Sequence, residues 1–347
     1  MFPNVPQQSE SGEYVERTIE NMILTGTQGS SGDRSFAHQR ELTPIEIDVR
    51  EKIWSVAFLV DGKHVVSGGS RWKIRRWRVE DGKEVQVGTP MDAGSRVLDI
   101  AVSRDGKWVV SGTLSGLVTV WNGRKFKGHN RGVNAVDVSP DGTRITTGSD
   151  DCTLCVWSLS TGERLLPPLE HDFWVVAVKF SPDGSLIATA TWARDLRVYD
   201  SQNGGLLVKF PVKVYSAVNQ SLAWASNSKQ LFALSRDGDI HCLGVSTGTT
   251  LSKWAIHSSY NATCIALASN GTFIVASANS SVSFWDTTTH ERIGSVIKHT
   301  HSISSMAVSP NYDLVTGGDK TITLWRLRDI LPSHYFDDVR VSVKKLM

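Results

Sequence analysis

Two cysteines three residues apart have the spacing of a zinc or thiol-redox pair. Cys152 and Cys155 form a C-x-x-C sequence, and such pairs bind zinc or exchange a disulfide. Both fall within residues 150–157, which predict a strand, and residues three apart on a strand point to opposite faces. The other two cysteines, Cys242 and Cys264, neither complete a zinc site near this pair nor build a disulfide framework. We therefore predict no metal ion, cofactor or redox role.

A histidine, a threonine and an aspartate have the residue types of a hydrolytic triad. In a triad the histidine takes a proton from the attacking hydroxyl, and the carboxylate orients the imidazole. His129, Thr147 and Asp151 are of these types, but Thr147 lies in the middle of a predicted strand, whereas a nucleophile must be exposed beside an oxyanion hole. The chain also lacks the G-x-S-x-G, H-E-x-x-H, phosphate-loop and dinucleotide-glycine sequences. We predict that it is not an enzyme.

The elements that position these residues recur seven times, at a spacing of about forty residues. Each repeat has an apolar strand, a turn, a second strand that ends in small residues, and a third strand that usually ends in tryptophan. The turns lie at 60–62, 104–106, 139–142, 181–184, 226–228, 269–271 and 309–311. The third strands end at Trp77, Trp121, Trp157, Tyr199, Leu243, Trp285 and Trp325. A fixed period of this length, built from short strands, predicts a radial or solenoidal array.

Each repeat predicts a small antiparallel sheet. Asp-Gly and Asn-Gly turns between alternating apolar segments, such as Asp141-Gly142 and Asn270-Gly271, are strong hairpin signals. A further glycine turn follows the third strand, as at Gly82 and Gly162, and predicts a fourth, outer strand. We therefore predict an all-β fold, a seven-bladed β-propeller of four-stranded antiparallel blades.

The strand at the start of the first repeat is out of place for that repeat. When the turns are aligned, residues 44–47 fall where residues 166–169 fall in the outer strand before the fourth repeat. We therefore predict that this N-terminal strand pairs into the last blade and closes the ring. Segment 339–343, whose residues alternate in the same way, is a second candidate for the closing strand.

The uninterrupted repeats predict one domain with two tails. We assign residues 1–41 to a flexible polar N-terminal tail, residues 42–328 to the propeller and residues 329–347 to a C-terminal tail. A peptide that docks on a partner is the alternative for the N-terminal tail.

The charge balance argues against general attraction to nucleic acid or to anionic membranes. The chain has 37 Lys and Arg against 35 Asp and Glu, a formal net charge of +2. Its apolar runs are too short to span a bilayer, and its first residues lack the charged start and apolar stretch of a secretory signal. We therefore predict no membrane partner and a cytoplasmic location, with the nucleus as an alternative.

One local run of basic residues has the composition of a single-strand nucleic-acid site. It contains Arg71, Lys73, Arg75, Arg76 and Arg78 beside two tryptophans, and basic charge next to aromatic rings suits single strands. Neighbouring residues on a strand point to opposite faces, so Arg75 and Arg76 cannot both contact one ligand. We favour a solvated strand face over nucleic acid.

The third repeat has the most specific sequence. It contains Gly128-His129, then Ser139-Pro140-Asp141-Gly142, then Thr147 to Asp151, and then Trp157. At these residues the chain resembles the WD40-repeat family of seven-bladed propellers, and the resemblance covers the seven repeats. In that family a histidine, a hydroxyl, an aspartate and the tryptophan of one blade form a hydrogen-bonded set. The resemblance implies such sets at His129, Thr147, Asp151 and Trp157, and at His299, Thr316, Asp319 and Trp325.

The resemblance also implies a non-catalytic function, as a protein-interaction scaffold or adaptor that binds a peptide segment of a partner. We expect binding on the top face, which holds the loops before each first strand and the turns before each third strand. Tryptophan, tyrosine and arginine dominate the energetics of interfaces. Top-face residues of these types are Arg71, Trp72, Arg96, Arg131, Trp174, Trp192, Arg194, Tyr215, Arg236 and Tyr260.

We expect the bound segment to be acidic or polar, and the chain to be monomeric alone and part of a complex in the cell. Two alternatives stay open. The tryptophan-rich face also suits a glycan-binding propeller. A hydrolase site in the central channel would need convergent carboxylates, for which Asp99 and Asp137 are isolated candidates at first-strand positions.

Overall fold

The computed structural model describes residues 44–86, 91–121, 124–192, 195–212, 221–235, 237–256 and 262–336. The chain divides into two units, Met1–Glu41 and Leu42–Met347, and every described residue belongs to the second. The described residues form β-strands and two short 3-10 helices. The candidate closing segment 339–343 and the N-terminal tail lie outside them.

Five sheets have four antiparallel strands, and each contains one repeat. The second repeat provides β5 (Val97–Val102), β6 (Val109–Thr113), β7 (Leu117–Val120) and β8 (Arg124–Lys127). The third provides β9 (Val133–Val138), β10 (Arg144–Ser149), β11 (Thr153–Ser158) and β12 (Leu169–Glu170). The fourth provides β13 (Val175–Phe180), β14 (Leu186–Thr191), β15 (Leu196–Asp200) and β16 (Leu206–Phe210). The fifth provides β17 (Leu222–Trp224), β18 (Gln230–Leu234), β19 (Asp239–Gly244) and β20 (Thr249–Ala255). The sixth provides β21 (Ala262–Leu267), β22 (Phe273–Ala278), β23 (Ser281–Asp286) and β24 (Arg292–Lys298).

The first and seventh repeats form one sheet of six strands. Its order is β25 (Ile303–Val308), β26 (Asp313–Arg326), β1 (Ile45–Phe58), β2 (His64–Gly69), β3 (Lys73–Arg78) and β4 (Met91–Asp92). Residues 45–48 of β1 pair with residues 321–324 of β26, whereas residues 53–58 pair with β2. The first of these pairings confirms that the N-terminal strand closes the ring into the last sheet.

The fold is an all-β propeller, but the described strands make six blades rather than the predicted seven. The difference arises because β1 is the outer strand of the last repeat and continues as the innermost strand of the first. Its pairing register shifts between Asp48 and Lys52, around Arg50, which has a left-handed φ of 55°. The spacing of turns and tryptophans locates the repeats, but it does not reveal that two of them share a strand.

The first strand of each repeat lies innermost. These strands contact one another in the order β1, β5, β9, β13, β17, β21, β25 and β1 again, so the ring is closed. Polar side chains link several neighbours. Ser305 Oγ accepts from the Val56 N–H at 3.0 Å, Ser55 Oγ donates to Asp99 Oδ1 at 2.9 Å, and Asp99 Oδ2 accepts from the Val136 N–H at 2.9 Å. These bonds join the seventh repeat to the first, the first to the second and the second to the third.

In the described residues, five outer strands pack against the turn after the third strand of the following repeat. In four repeats this turn contains a left-handed glycine: Gly82, Gly162, Gly204 and Gly248. A Cβ at Gly162 would clash with Phe126 Cε1 of β8, so glycine is required there both by φ and by space. In the sixth repeat His290 takes this place with a φ of 61°, and its ring stacks on Trp254 at 4.2 Å between centroids.

The chain after β26 packs on the sixth and seventh repeats through η1 (Leu327–Asp329) and η2 (Ser333–Phe336). Phe336 is buried, and its ring centroid lies 6.3 Å from that of Phe273 and 5.0 Å from that of Tyr312. The Arg328 guanidinium lies 5.1 Å from the rings of both Tyr312 and Phe336. Residues 329–336 of the C-terminal tail therefore pack against the propeller.

Candidate functional site

A cavity of about 490 Å³ opens on the top face, at the mouth of the ring of inner strands. Ligand pockets of folded proteins have volumes of about 300–1,000 Å³. Part of the lining comes from one position in six repeats, seven residues before the turn aspartate or asparagine: Trp54, Leu98, Asn134, Val176, Thr263 and Ser304. The rest comes from β1, from loops before other inner strands, from turns after the second strands and from the start of β25: Lys52, Leu114, Asp150, Trp174, Trp192, Ser302 and Ile303. We call this space the top-face cavity.

Three tryptophans surround the top-face cavity. Trp174, before β13, and Trp192, after β14, are 42% and 55% exposed. Their ring centroids are 5.9 Å apart, and the backbone N–H of Trp192 donates to the backbone carbonyl of Trp174 at 3.0 Å. Trp54 is half-buried, and the Arg96 guanidinium lies 5.9 Å from its ring. Aromatic faces are thus available to a ligand from two sides of the cavity.

The polar groups of the cavity carry few free charges. Lys52 Nζ lies 3.5 Å from Asp319 Oδ1, so its charge is compensated. Asp150 Oδ1 accepts from Asn134 Nδ2 at 2.7 Å, and the same amide donates to the Val175 carbonyl at 3.2 Å. Among the described residues, Asp150 has no cationic partner.

Three exposed arginines lie on the top face of adjacent repeats. Arg71 follows β2, Arg96 precedes β5 and Arg131 precedes β9; we call them the arginine rim. Within the described chain none of their guanidinium groups forms an ion pair. This differs from the basic run on β3, where Arg75 pairs with Glu84 at 2.6 Å and Arg76 with Asp61 at 3.5 Å.

The predicted partner-binding residues do not form one cluster. Trp174 and Trp192 line the top-face cavity, whereas Trp72 and the arginine rim are exposed but do not line it. The remaining predicted residues lie outside the described residues: Arg194, Tyr215, Arg236 and Tyr260.

Sequence reasoning missed the apolar part of the lining. Leu98, Leu114, Val176 and Ile303 are not residue types that mark a site. The signal that would have found two of them is register, because Leu98 and Val176 take the same place before their turns as Trp54. Residue types differ at this position from repeat to repeat, so composition does not reveal it.

The carboxylates of the inner strands are engaged in the ring. Asp137 Oδ1 lies 3.2 Å from Lys179 Nζ, and Asp137 Oδ2 accepts from the Phe180 N–H at 2.8 Å. At the position of Asp137 and Lys179 the other five repeats have alanine. Burial raises the pKa of Asp99 to about 6, against the opposing effect of the Lys179 charge. The described residues therefore do not assemble the free carboxylates that a hydrolase in the channel would need.

The hydrogen-bonded set of the third repeat is assembled. The Trp157 indole N–H donates to Thr147 Oγ1 at 2.8 Å, and His129 contacts Thr147 Oγ1 through Nε2 at 2.7 Å and Asp151 Oδ2 through Nδ1 at 2.9 Å. Burial lowers the pKa of His129, although Asp151 favours its protonated form. Because Thr147 is fully buried and bonded on both sides, its hydroxyl cannot attack a substrate.

The fourth repeat builds a related set from other residue types. His171 Nε2 lies 3.0 Å from Thr189 Oγ1 and 3.1 Å from the Tyr199 hydroxyl, and Nδ1 lies 3.0 Å from the Leu169 carbonyl. The Leu169 carbonyl thus has the place at Nδ1 that the Asp151 carboxylate has in the third repeat. Burial lowers the pKa of His171 to about 4.

The hydrogen-bonded set that the resemblance implied for the seventh repeat is not assembled, so that prediction was wrong. The rings of His299 and Trp325 are 5.5 Å apart, but His299 Nε2 and the Trp325 indole N–H have no hydrogen-bond partner among the described residues, so Thr316 connects neither. The turn is one residue shorter than in the third repeat. Asp319 consequently meets Lys52 at 3.5 Å and Ser302 at 3.4 Å instead of His299.

Three further features considered from the sequence are the cysteines, a metal site and a membrane-spanning segment. All four cysteines are free thiols, and burial raises the pKa of both Cys152 and Cys155, the latter to about 11. No three His, Cys, Asp or Glu side chains of the described chain converge as a metal ion requires. Nor does that part of the chain contain a helix both long and apolar enough to cross a bilayer.

Known proteins match the chain over its repeats. Protein groucho of Drosophila melanogaster is 25% identical over 63% of this chain and 31% of its own length. Small ribosomal subunit protein RACK1y of Oryza sativa subsp. japonica is 32% identical over 40% of this chain and 44% of its own. Actin-interacting protein 1 of Drosophila melanogaster is 26% identical over 51% of this chain and 30% of its own. The chain thus spans less than half of the length of each of these relatives.

A family model also matches the repeats. The model for the WD domain, G-beta repeat, covers residues 85–122, 123–158, 164–200, 248–286 and 291–326. These ranges make up more than half of the 347 residues. They include the assembled hydrogen-bonded set of the third repeat and the tryptophans that end four of the third strands. The chain therefore belongs to the WD40 repeat family.

Proposed function

We propose that the chain is a non-catalytic protein-interaction platform that captures a peptide segment of a partner in the top-face cavity. The observation that carries the proposal is the group of three tryptophans around this cavity, two of them 42% and 55% exposed. Large exposed apolar groups mark interaction sites, and tryptophan is enriched among the residues that dominate binding energy. The inner-strand carboxylates, by contrast, are bonded to neighbouring strands.

The relatives support the class of function and not a particular partner. One is named as a protein of the small ribosomal subunit and another as an actin-interacting protein, so both names describe assembly with other molecules. Neither partner is carried over to this chain. We further propose that the chain is monomeric alone and joins a complex in the cell. We propose the cytoplasm as its location, with the nucleus as the alternative.

The test is affinity capture from the cells that make the protein, with identification of the captured proteins by mass spectrometry. The double variant Trp174→Ala/Trp192→Ala removes the exposed aromatic pair. Val60→Ala is the control, because Val60 is 47% exposed in the turn between β1 and β2, on the opposite face. We expect the wild type and the control to capture the same proteins and the double variant to lose at least tenfold, with its melting temperature nearly unchanged.

Undiminished capture by the double variant would refute the cavity as the binding site. The same proteins are also applied to a glycan array. If the wild type binds a glycan and the double variant does not, the ligand of the cavity is a sugar and not a peptide segment.

A further inference from the structure

Building on the proposed function, we propose that the top-face cavity takes a tryptophan or tyrosine side chain from a partner segment whose neighbouring residues are acidic. The aromatic side chain enters the cavity, and the carboxylates of its neighbours meet the arginine rim.

The lining of the cavity favours an aromatic side chain. Leu98, Leu114, Val176 and Ile303 are apolar, and three tryptophans provide ring faces around them. An aromatic side chain buries about 150–250 Å² and gains further from edge or offset contacts with other rings. The Trp174 and Trp192 rings, tilted by 50° at 5.9 Å, leave faces exposed for such contacts.

The charges inside the cavity exclude a carboxylate there and favour a hydrogen-bond donor. Asp150 has no cationic partner among the described residues, and it would repel an acidic side chain. Its free lone pairs can accept from an indole N–H or a phenol O–H, beside the Asn134 amide that already donates to it at 2.7 Å. Arg96, at the edge of the cavity, disfavours a lysine or arginine side chain there, whereas the charge of Lys52 is already compensated by Asp319.

The arginine rim supplies the complement for acidic neighbours. Several other basic residues of the described chain are paired with carboxylates, as Lys253 is with Asp239 at 2.6 Å and Arg197 with Asp195 at 2.6 Å. The rim arginines are exposed and have no such partner. Arg96 connects the rim to the cavity, since its guanidinium lies 5.9 Å from the ring of Trp54. Guanidinium groups bind carboxylates through paired, charge-assisted hydrogen bonds.

The test is a phage-display selection, in which random dodecapeptides are selected for binding to the immobilised full-length chain. We expect enriched peptides to contain tryptophan or tyrosine with two or more Asp or Glu within four residues. Synthetic copies are then titrated by fluorescence anisotropy. The variant Arg71→Glu/Arg96→Glu/Arg131→Glu should weaken binding at least tenfold, and the neutral triple glutamine variant should weaken it less.

Arg104→Glu is the matched control, because Arg104 is exposed in the turn between β5 and β6 on the opposite face and should leave binding unchanged. The double variant Trp174→Ala/Trp192→Ala should abolish binding. Circular dichroism and melting temperature verify that each variant is folded.

The outcomes separate this inference from the proposed function. Selected peptides that need Trp174 and Trp192 but have basic or uncharged neighbours would overturn the inference and leave the proposed function in place. Selection that yields no peptide dependent on these tryptophans would overturn both. A fluorescein-labelled twelve-residue oligothymidylate is tested in the same way. If it binds the wild type but not the triple glutamate variant, the ligand is single-stranded nucleic acid and the inference of an acidic peptide is overturned.

Discussion

At the scale of residues, the same four side-chain types behave differently in two repeats. His129, Thr147 and Asp151 are connected in the third repeat, whereas the seventh leaves His299 and Trp325 without hydrogen-bond partners among the described residues. The residue types were correctly read from the sequence in both cases. The length of the turn before the third strand decides which way the aspartate faces, and that follows from backbone geometry.

The variant Thr147→Val should lower the free energy of unfolding by about 1–3 kcal/mol, because two buried polar groups lose their partner. Urea titration followed by tryptophan fluorescence measures the change. Thr316→Val is the control at the equivalent position, where the histidine and tryptophan are already unpartnered, and it should cost less. Equal losses in the two variants would contradict the role given to Thr147.

Acid should destabilise the protein through His171. In the folded state its pKa is about 4, and in the unfolded chain it takes the ordinary value of about 6.5. The unfolded state therefore binds the proton first, and stability falls as the pH drops from about 6.5 to 4, by about 3 kcal/mol in full. Unfolding titrations at pH 7 and pH 4.5 measure the loss.

The control for this pH dependence is His171→Gln, which should lose less stability between the two pH values. Asp99, whose pKa of about 6 acts in the opposite direction, is present in both proteins and cancels in the difference. A pH dependence of stability identical in the wild type and the variant would contradict the assignment.

At the scale of elements, outer strands and glycine turns hold neighbouring repeats together. The turns at Gly142 and Gly162 were both predicted from sequence as hairpin turns, and both glycines are left-handed, with φ of 68° and 78°. Their surroundings could not be predicted, because the contact of Gly162 with Phe126 joins residues of different repeats. Nothing lies within 4 Å of a Cβ at Gly142.

These two glycines form a matched pair. Gly142→Ala should cost about 1 kcal/mol for the left-handed backbone alone. Gly162→Ala should cost about 3 kcal/mol, because its Cβ also displaces Phe126 in a packed interface. Chemical denaturation of both variants tests the difference, and a Gly142→Ala loss as large as that of Gly162→Ala would argue against the packing.

At the scale of the whole molecule, the period of the repeats and the phase of residues 44–47 predicted the propeller and its closure. The number of blades could not be derived, because the pairing of β1 with both β26 and β2 is a property of the closed ring. The top-face cavity could not be predicted from the sequence either. The position that lines it carries a different residue type in successive repeats, namely Trp54, Leu98 and Asn134.

The closure of the ring by β1 can be tested by placing an aspartate at either of two adjacent positions of this strand. Ile47 is buried and pairs with Ile322 of β26, whereas Glu46 is exposed. Ile47→Asp buries an unpaired charge and should lower the melting temperature and broaden the transition in calorimetry. Glu46→Asp should leave the transition as in the wild type. A sharp, unshifted transition for Ile47→Asp would show that this strand does not hold the ring.

The central claim is that the top-face cavity receives a segment of another protein. A photo-crosslinking amino acid with an aromatic side chain, which keeps a ring at the cavity, in place of Trp192 and activated in living cells, tests it directly. The same amino acid in place of Val60 on the opposite face is the comparison. The account predicts discrete protein adducts from position 192 and none from position 60. Adducts from position 60 alone would contradict it.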